Sequence, residues 1–290
     1  MKYSAKNLIL WLLISFCCLH VQESLAYIPS VDMILKKTTA SNREGWWKIR
    51  LHVSAESDPQ NNIFEETWTV GDANTMRLQV RGLSPGNKNF THEVLYKGGR
   101  RHLVTETGLT SAKIPTNCFE RIFHFADGAQ FKQYLKDSLI LVAQAPVAKA
   151  DAKKEVKPEH TEFIYVRDPL VRLSRAGGVI AYALGEPTAA EAAVPAPGLW
   201  IEQDRFHLLR LRLLESVDIH VSKYKKFTNK WFPEVRQLSW GKEKVRILTE
   251  DIEKIPADSK VRKQMTPEAL KVGNSSTDIP AIGEFYQRFR

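Results

Sequence analysis

Five residues, Gly82-Leu83-Ser84-Pro85-Gly86, spell G-x-S-x-G, the pattern of an elbow that presents a nucleophilic serine. That chemistry needs a strand, a strained turn and a helix that lifts the hydroxyl clear. Asn87-Lys88-Asn89 follows instead, which is turn chemistry, so the pattern reads as an ordinary loop. Beyond residue 26 the histidines are His52, His92, His102, His124, His160, His207 and His220. They lie far apart, and none forms HExxH, HxH or a Cys/His pair at metal-ligand spacing. Two adjacent carboxylate pairs, Glu65-Glu66 and Glu250-Asp251, would have to face one way to share acid–base work. Along a strand, neighbours point to opposite faces. Phosphate-cradling glycine loops are absent, so no catalytic residue, metal site or cofactor is assigned and the chain is expected not to be an enzyme.

The elements around these residues begin after a leader. Lys2 and Lys6 precede an apolar run from Leu8 to Leu19, and Ser24-Leu25-Ala26 supplies small residues for cleavage, so residues 1–26 read as a secretory signal peptide and Tyr27 as the mature start. The run is shorter than the ~20 apolar residues that span a bilayer. Phe16 and Cys17 also occupy places where a lipid-attachment motif wants small residues. Of three cysteines only Cys118 lies beyond the leader, which excludes an internal disulfide and suits a periplasm. Cys118 itself reads as a small buried hydrophobe. Removing Lys2, Lys6 and Glu23 takes the formal charge from +9 to +8, and that excess is spread along the chain. No Lys/Arg tract interleaves with aromatics, which argues against nucleic acid; a basic surface suits anionic lipid or an acidic partner, or simply keeps the chain in solution.

Ile28 to Thr39 carries Val31, Ile34 and Leu35 at helical spacing behind Ser30 as N-cap. From Trp46 the period drops to two: Trp47, Ile49, Leu51, Val53 and Ala55 face one way, and Lys48, Arg50, His52 and Ser54 the other. Phe64, Trp68 and Val70 continue the alternation, as do Met76, Leu78 and Val80. His92 to Lys97 and Arg101 to Glu106 flank a Gly98-Gly99 hairpin turn. Asp127 to Leu139 reads as a second helix. Residues 144–160 are too rich in Ala, Lys, Pro and Glu to pack, and 186–197 form a second soft insertion. Strands are expected at Phe163 to Val166, Leu170 to Ser174 and Val179 to Leu184. Five more follow: Leu199 to Gln203, Arg205 to Leu214, Val217 to Lys226, Trp231 to Trp240 and Lys244 to Asp251. In the second of these, Leu209, Leu211 and Leu213 share one face. Residues 256–290 form a polar tail, docked or free, with a helix over Pro280 to Phe289.

About a dozen antiparallel strands with one apolar face each offer more greasy surface than two or three short helices can cover as a flat sheet. Either two sheets form a sandwich, or one sheet curls around its own apolar face. Helices placed before and between the strand runs favour the second. The chain then resembles a known family. The residues that carry the resemblance are Trp200, Ile201, Glu202, Leu209 and Arg210, then Val221, Tyr224, Phe227, Trp231, Pro233 and Val235, together with the early helix. This pattern is similar to the LolA/LolB-type lipoprotein-carrier superfamily over residues 27–255. The resemblance implies a mainly β fold: a single curved antiparallel sheet, an unclosed half-barrel, under a helical lid. It also implies an arginine on an early strand that holds the lid shut; Arg77 and Arg81 lie in that region, but no motif aligns with either and the role is not assigned.

The function expected is that of a periplasmic, monomeric carrier. It would hold lipid or an acylated protein in a hydrophobic concavity, in outer-membrane lipoprotein or lipid trafficking. Expected lining residues are Trp47, Ile49, Leu51, Leu78, Val80, Leu209, Leu211, Val217, Ile219 and Val221. The alternatives are a sensor or interaction module of the same fold, bound to a membrane-associated protein partner, and a secreted hydrolase.

Overall fold

The computed structural model describes residues 28–42, 45–57, 63–142, 170–188 and 194–290. The leader, the insertion at 144–160, the strand expected at Phe163 to Val166 and residues 189–193 lie outside them. Strand β1 (Trp46–Ala55), β2 (Ile63–Asp72), β3 (Thr75–Gly82), β4 (Thr91–Lys97), β5 (Arg100–Thr105) and β6 (Gly108–Lys113) form one meander. A second comprises β7 (Val171–Ala176), β8 (Val179–Leu184), β9 (Gly198–Glu202), β10 (Leu208–Arg212), β11 (Asp218–Phe227), β12 (Lys230–Trp240) and β13 (Glu243–Ile255). The two fuse where β1 pairs with β13, giving one 13-stranded sheet in the order β6-β5-β4-β3-β2-β1-β13-β12-β11-β10-β9-β8-β7. Every pairing is antiparallel, and the sheet does not close: it is an unclosed half-barrel. The sandwich is thereby excluded.

Topology places the lid. The edge strands β6 and β7 follow each other among the described residues but sit at opposite ends of the sheet, and the described part of their connection lies on a face. Its described part holds a 3-10 turn at Phe119–Phe123 and helix α2 (Gly128–Asp137), which pack on the apolar inner face with α1 (Val31–Thr39). The Ser30 hydroxyl accepts from the Met33 N–H at 3.4 Å and caps α1; Asp127 caps α2 through the Ala129 N–H at 3.1 Å. Val31, Ile34 and Leu35 of α1 and Phe131, Tyr134 and Leu135 of α2 are buried, and Lys132 reaches Asp32 at 2.8 Å between the helices. Arg121 binds the lid to the β2–β3 turn, donating to the Ala73 carbonyl at 3.0 Å and to Asn74 Oδ1 at 2.7 Å.

The tail docks on both faces. Helix α3 (Ser259–Gln264) and the residues after it cover the polar outer face of β3 to β5. There Arg77 donates to the Gln264 carbonyl at 2.8 Å and the Ala269 carbonyl at 3.0 Å, and Leu95, Met265 and Leu270 cluster. The chain passes the end of β4, where a Cβ on Gly273 would meet the Thr91 carbonyl oxygen at 2.6 Å, so only glycine fits. It then sends α4 (Pro280–Phe289) onto the inner face, burying Ile282, Phe285, Tyr286 and Phe289 completely or nearly so. Arg77 and Arg81 both face away from the lid; Arg81 pairs with Glu65 at 2.9 Å.

Three local expectations are corrected. Strand β6, exposed at every residue, carries no alternation and has no counterpart in the sequence reading. A bulge in β10 between Leu208 and Arg210 turns Leu209 outward to pack with Ala181, Ala183 and Trp200, while Leu211 stays inside; one extra residue reverses the face. A second irregularity, opposite Arg50 and Leu51, lets Glu250 and Asp251 face the same way, against His52 and Arg50, each at 3.0 Å. Glu65 and Glu66, by contrast, do point to opposite faces.

Candidate functional site

The inner face gathers nine of the ten expected lining residues. Trp47, Ile49, Leu51, Leu78, Val80, Leu211, Val217, Ile219 and Val221 belong to one buried cluster with the lid and α4; Leu209 does not. Around α4 this face is packed solid. Tyr286 and Phe289 make ring contacts with Phe64, Phe90, Phe119 and Trp240 at centroid distances of 5.1 to 6.4 Å, and Phe285 packs on both Tyr286 and Phe289.

Beneath α4 lies a buried charge network. Arg290 donates through Nε to Glu66 Oε1 at 2.9 Å, and its Nη2 lies 3.5 Å from Glu120 Oε2. Arg236 reaches both Glu120 oxygens at 2.8 and 2.7 Å. All four side chains are fully buried. Burial alone would raise the Glu120 carboxyl, but Arg236, His124 and Arg290 outweigh it and hold the group well below the usual carboxylate range. His124 lies 3.5 Å from Glu120 and is pushed down to about 4, chiefly by burial. The Arg290 guanidinium also sits 4.7 to 5.3 Å from the ring centroids of Trp68, Phe119 and Phe285. Two guanidiniums and two carboxylates balance in charge and hold α4 on β2 and the lid, although Arg236 Nε and Nη2 and Arg290 Nη1 find no acceptor among the described residues.

At the other end of the lid the wall opens. Strands β10 and β11 pair only from Arg210↔His220 to Arg212↔Asp218, although β11 runs on to Phe227. Beyond the last rung the Tyr224 phenol takes over: it accepts from the Leu208 N–H at 3.1 Å and donates to the Leu208 carbonyl at 3.0 Å. His207 stacks on Tyr224 at 4.1 Å and 9°, and its pKa is lowered by burial and by Arg205. Two clefts flank this point. The inner one, ≈ 220 Å³, runs under the end of α1 and is lined by Lys37, Ile122, Phe123, Phe206, Leu208, Trp231, Phe232 and Pro233. The outer one, ≈ 430 Å³, is lined by Arg175, Glu202, Arg210, His220 and Lys223. Arg205, His207 and Tyr224 line both.

Of the expected lining residues only Leu209 and Val221 border either of these clefts, both on the outer one, while Tyr224, Trp231 and Pro233, which carried the family resemblance, converge here. Phe206, Ile122 and Phe123 come from a turn and a lid segment without periodicity, so no local signal marked them.

The remaining chemistry-bearing residues are structural. Ser84 accepts from the Ile63 N–H at 2.9 Å in a loop followed by a 3-10 turn, not a helix that would expose it. Cys118 is fully buried, and burial raises its thiol pKa, with Tyr96 beside it. Among the described residues no three His, Cys, Asp or Glu side chains are grouped to hold a metal, and no helix is long and apolar enough to cross a membrane.

No protein-family model matches the chain, and no curated protein matches it by sequence. Solved structures do resemble it. A LolA superfamily protein from Nitrosomonas europaea is 12% identical, with 84% of this chain and 100% of that one covered and a TM-score of 0.47. A domain named for outer membrane lipoprotein sorting, from Vibrio parahaemolyticus, is 8% identical, with 82% and 97% covered and a TM-score of 0.47. A DUF1329 family protein from Desulfovibrio piger is 9% identical, with 83% and 98% covered and a TM-score of 0.43.

Proposed function

We propose that this protein is a non-enzymatic carrier, exported to the periplasm, that holds the acyl chain of a lipid or lipoprotein between its sheet and its lid. The observation that carries this reading is the inner face of the half-barrel: a largely apolar surface covered, among the described residues, by short helices and turns, with a cleft opening beside them. A second sheet would seal such a face; helices joined by loops can shift and admit a chain. At the α4 end the face is filled by the protein's own aromatic side chains, so cargo would enter at the cleft, where Ile122, Phe123 and Phe232 supply an apolar floor.

The test is to express the protein with its leader, recover it without detergent from the cell envelope, and analyse its organic extract by mass spectrometry. Acyl lipid in near-stoichiometric amount is expected. A protein that emerges empty, and takes up neither charged nor neutral acyl chains afterwards, overturns the reading.

The packed α4 end favours one alternative, a module of this fold that binds a membrane-associated protein partner instead of lipid. Empty protein that retains one envelope protein stoichiometrically would support it.

A further inference from the structure

We propose that the gap between β10 and β11 is a port through the sheet wall that holds the anionic head of a single-chain amphiphile, carboxylate or phosphate. This deepens the carrier reading and rests on it. The gap is built into the pairing. Three rungs join β10 to β11; β10 begins at Leu208, so β11 from Val221 to Phe227 runs on past it and has no ladder partner on that side among the described residues. One phenol, that of Tyr224, bridges the break. The two clefts meet there, one on each side of the wall, with Arg205, His207 and Tyr224 common to both.

Charge and shape then select the ligand. Among the described residues, Arg205, Lys37 and Lys223 have no carboxylate within ion-pair distance. Of the carboxylates nearby, Asp218 is held by Arg210, whereas Glu202 has only His207 at 3.4 Å, a pairing that is ionic only when the imidazole is protonated; the anion is therefore placed on the inner side, by Arg205 and Lys37. Arg205, Lys37 and Lys223 are all exposed, so they meet an incoming anion at the solvent-facing rim of the clefts, where the Arg205 guanidinium can donate a charge-assisted hydrogen bond. Beyond the cations the inner cleft has an apolar floor of Ile122, Phe123, Leu208 and Phe232 with Thr38 and Asn42 at its side, and ≈ 220 Å³ is below the ~300 Å³ at which pockets for drug-sized ligands begin, so it suits one chain rather than two. Phe206 and Lys223, which flank the opening, adopt φ of 57° and 52° without being glycine, the kind of backbone cost that clusters at ligand clamps.

The experiment is calorimetric titration of the delipidated full chain, below micellar concentrations, with dodecanoate, dodecyl phosphate, dodecanol, dodecyltrimethylammonium and inorganic phosphate. Dodecanoate and dodecyl phosphate should bind with one site each, and the trimethylammonium about tenfold or more weaker, the value of one hydrogen bond to a charged group. Arg205→Ala with Lys37→Ala should weaken the two anionic amphiphiles by a similar factor and leave dodecanol unchanged. Arg205→Lys should keep most of the affinity, and an unchanged thermal melt certifies the fold. Inorganic phosphate should bind far more weakly than dodecyl phosphate; equal binding would make this a free-anion site and overturn the amphiphile assignment. If all chains bind alike whatever their head, and the double variant matches the parent, the port is refuted while the carrier reading stands. If no chain binds at all, both fall.

Discussion

Arg290 Nε lies 2.9 Å from Glu66 Oε1, with both side chains fully buried, and so ties the last helix to the second strand across 224 residues of sequence. Removing one partner of a buried pair strands the other charge, which costs about 3–5 kcal/mol. Arg290→Ala should therefore lower the stability of the chain by that order in urea denaturation. Glu66→Gln with Arg290→Met should recover most of the loss, because Glu120 keeps Arg236, and the glutamine oxygen can still accept the Trp68 indole N–H that Glu66 takes at 2.8 Å. Equal losses in the single and double variants would show that the cost lies in the lost contacts of the Arg290 side chain with Trp68, Phe119 and Phe285 and not in a stranded Glu66 charge.

Acid should loosen the fold before the Glu120 carboxyl titrates. Burial pushes His92 and His124 down to about 4 from the ordinary 6.5. Arg101 adds to the shift at His92, and Glu120 opposes it at His124. The unfolded chain takes up these protons as pH falls through 6.5, while the folded chain refuses them until about 4. Stability should accordingly drop between pH 6.5 and 4, and the two histidines should add no further loss below that. His92→Phe, which packs the same ring space against Tyr286, should flatten the slope in denaturant midpoints measured at pH 7, 5.5 and 4. A parent chain with the same midpoint at all three would refute this.

The strands with one clean apolar face were legible from Trp47 to Val80 and from Val217 to Val221, because period-two alternation is what a half-buried sheet imposes on a chain. What alternation cannot encode is where it slips. Leu209 and Glu250 are each the residue left out of the pairing register, and nothing local in either stretch announces the bulge. Strand β6 was invisible because every one of its residues is exposed. The charge network lay half in view: Glu66 shares parity with Phe64 and Trp68, and Arg236 with Phe232 and Leu238, charged residues at inward positions. Their partners Glu120 and Arg290 come from segments whose placement only the tertiary fold decides.

Lys230 is 3% exposed and faces the rings of Trp47 and Phe232 at 5.3 and 5.9 Å, without an ion-pair partner among the described residues. Burial lowers its pKa from 10.5 to about 8. At pH 7 the folded chain thus keeps a poorly solvated ammonium, only partly offset by the aromatic faces. Lys230→Met should raise stability at pH 7 by about 1–3 kcal/mol. In the parent, stability should rise as pH goes from 8 to 10.5, where the unfolded chain still binds the proton that the folded chain has released. The methionine variant should lack that component of the rise. Guanidinium melts across this range decide it, and a destabilised variant would show that the ammonium is better satisfied than its surroundings suggest.

Tyr224 offers the sharpest separation of local from global effects. Its hydroxyl alone satisfies the Leu208 N–H and C=O on the side where β11 has stopped pairing. Tyr224→Phe keeps the ring that stacks on His207 but leaves both main-chain groups without that partner, a loss of about 1–3 kcal/mol for a group shielded from water and less for one that water can reach. The gap opens to solvent, so amide exchange should accelerate at Leu208. Leu211, held in the ladder opposite Ile219, should keep its protection. Uniform acceleration at both amides would mean that the phenol supports the whole strand and not merely the edge of the port.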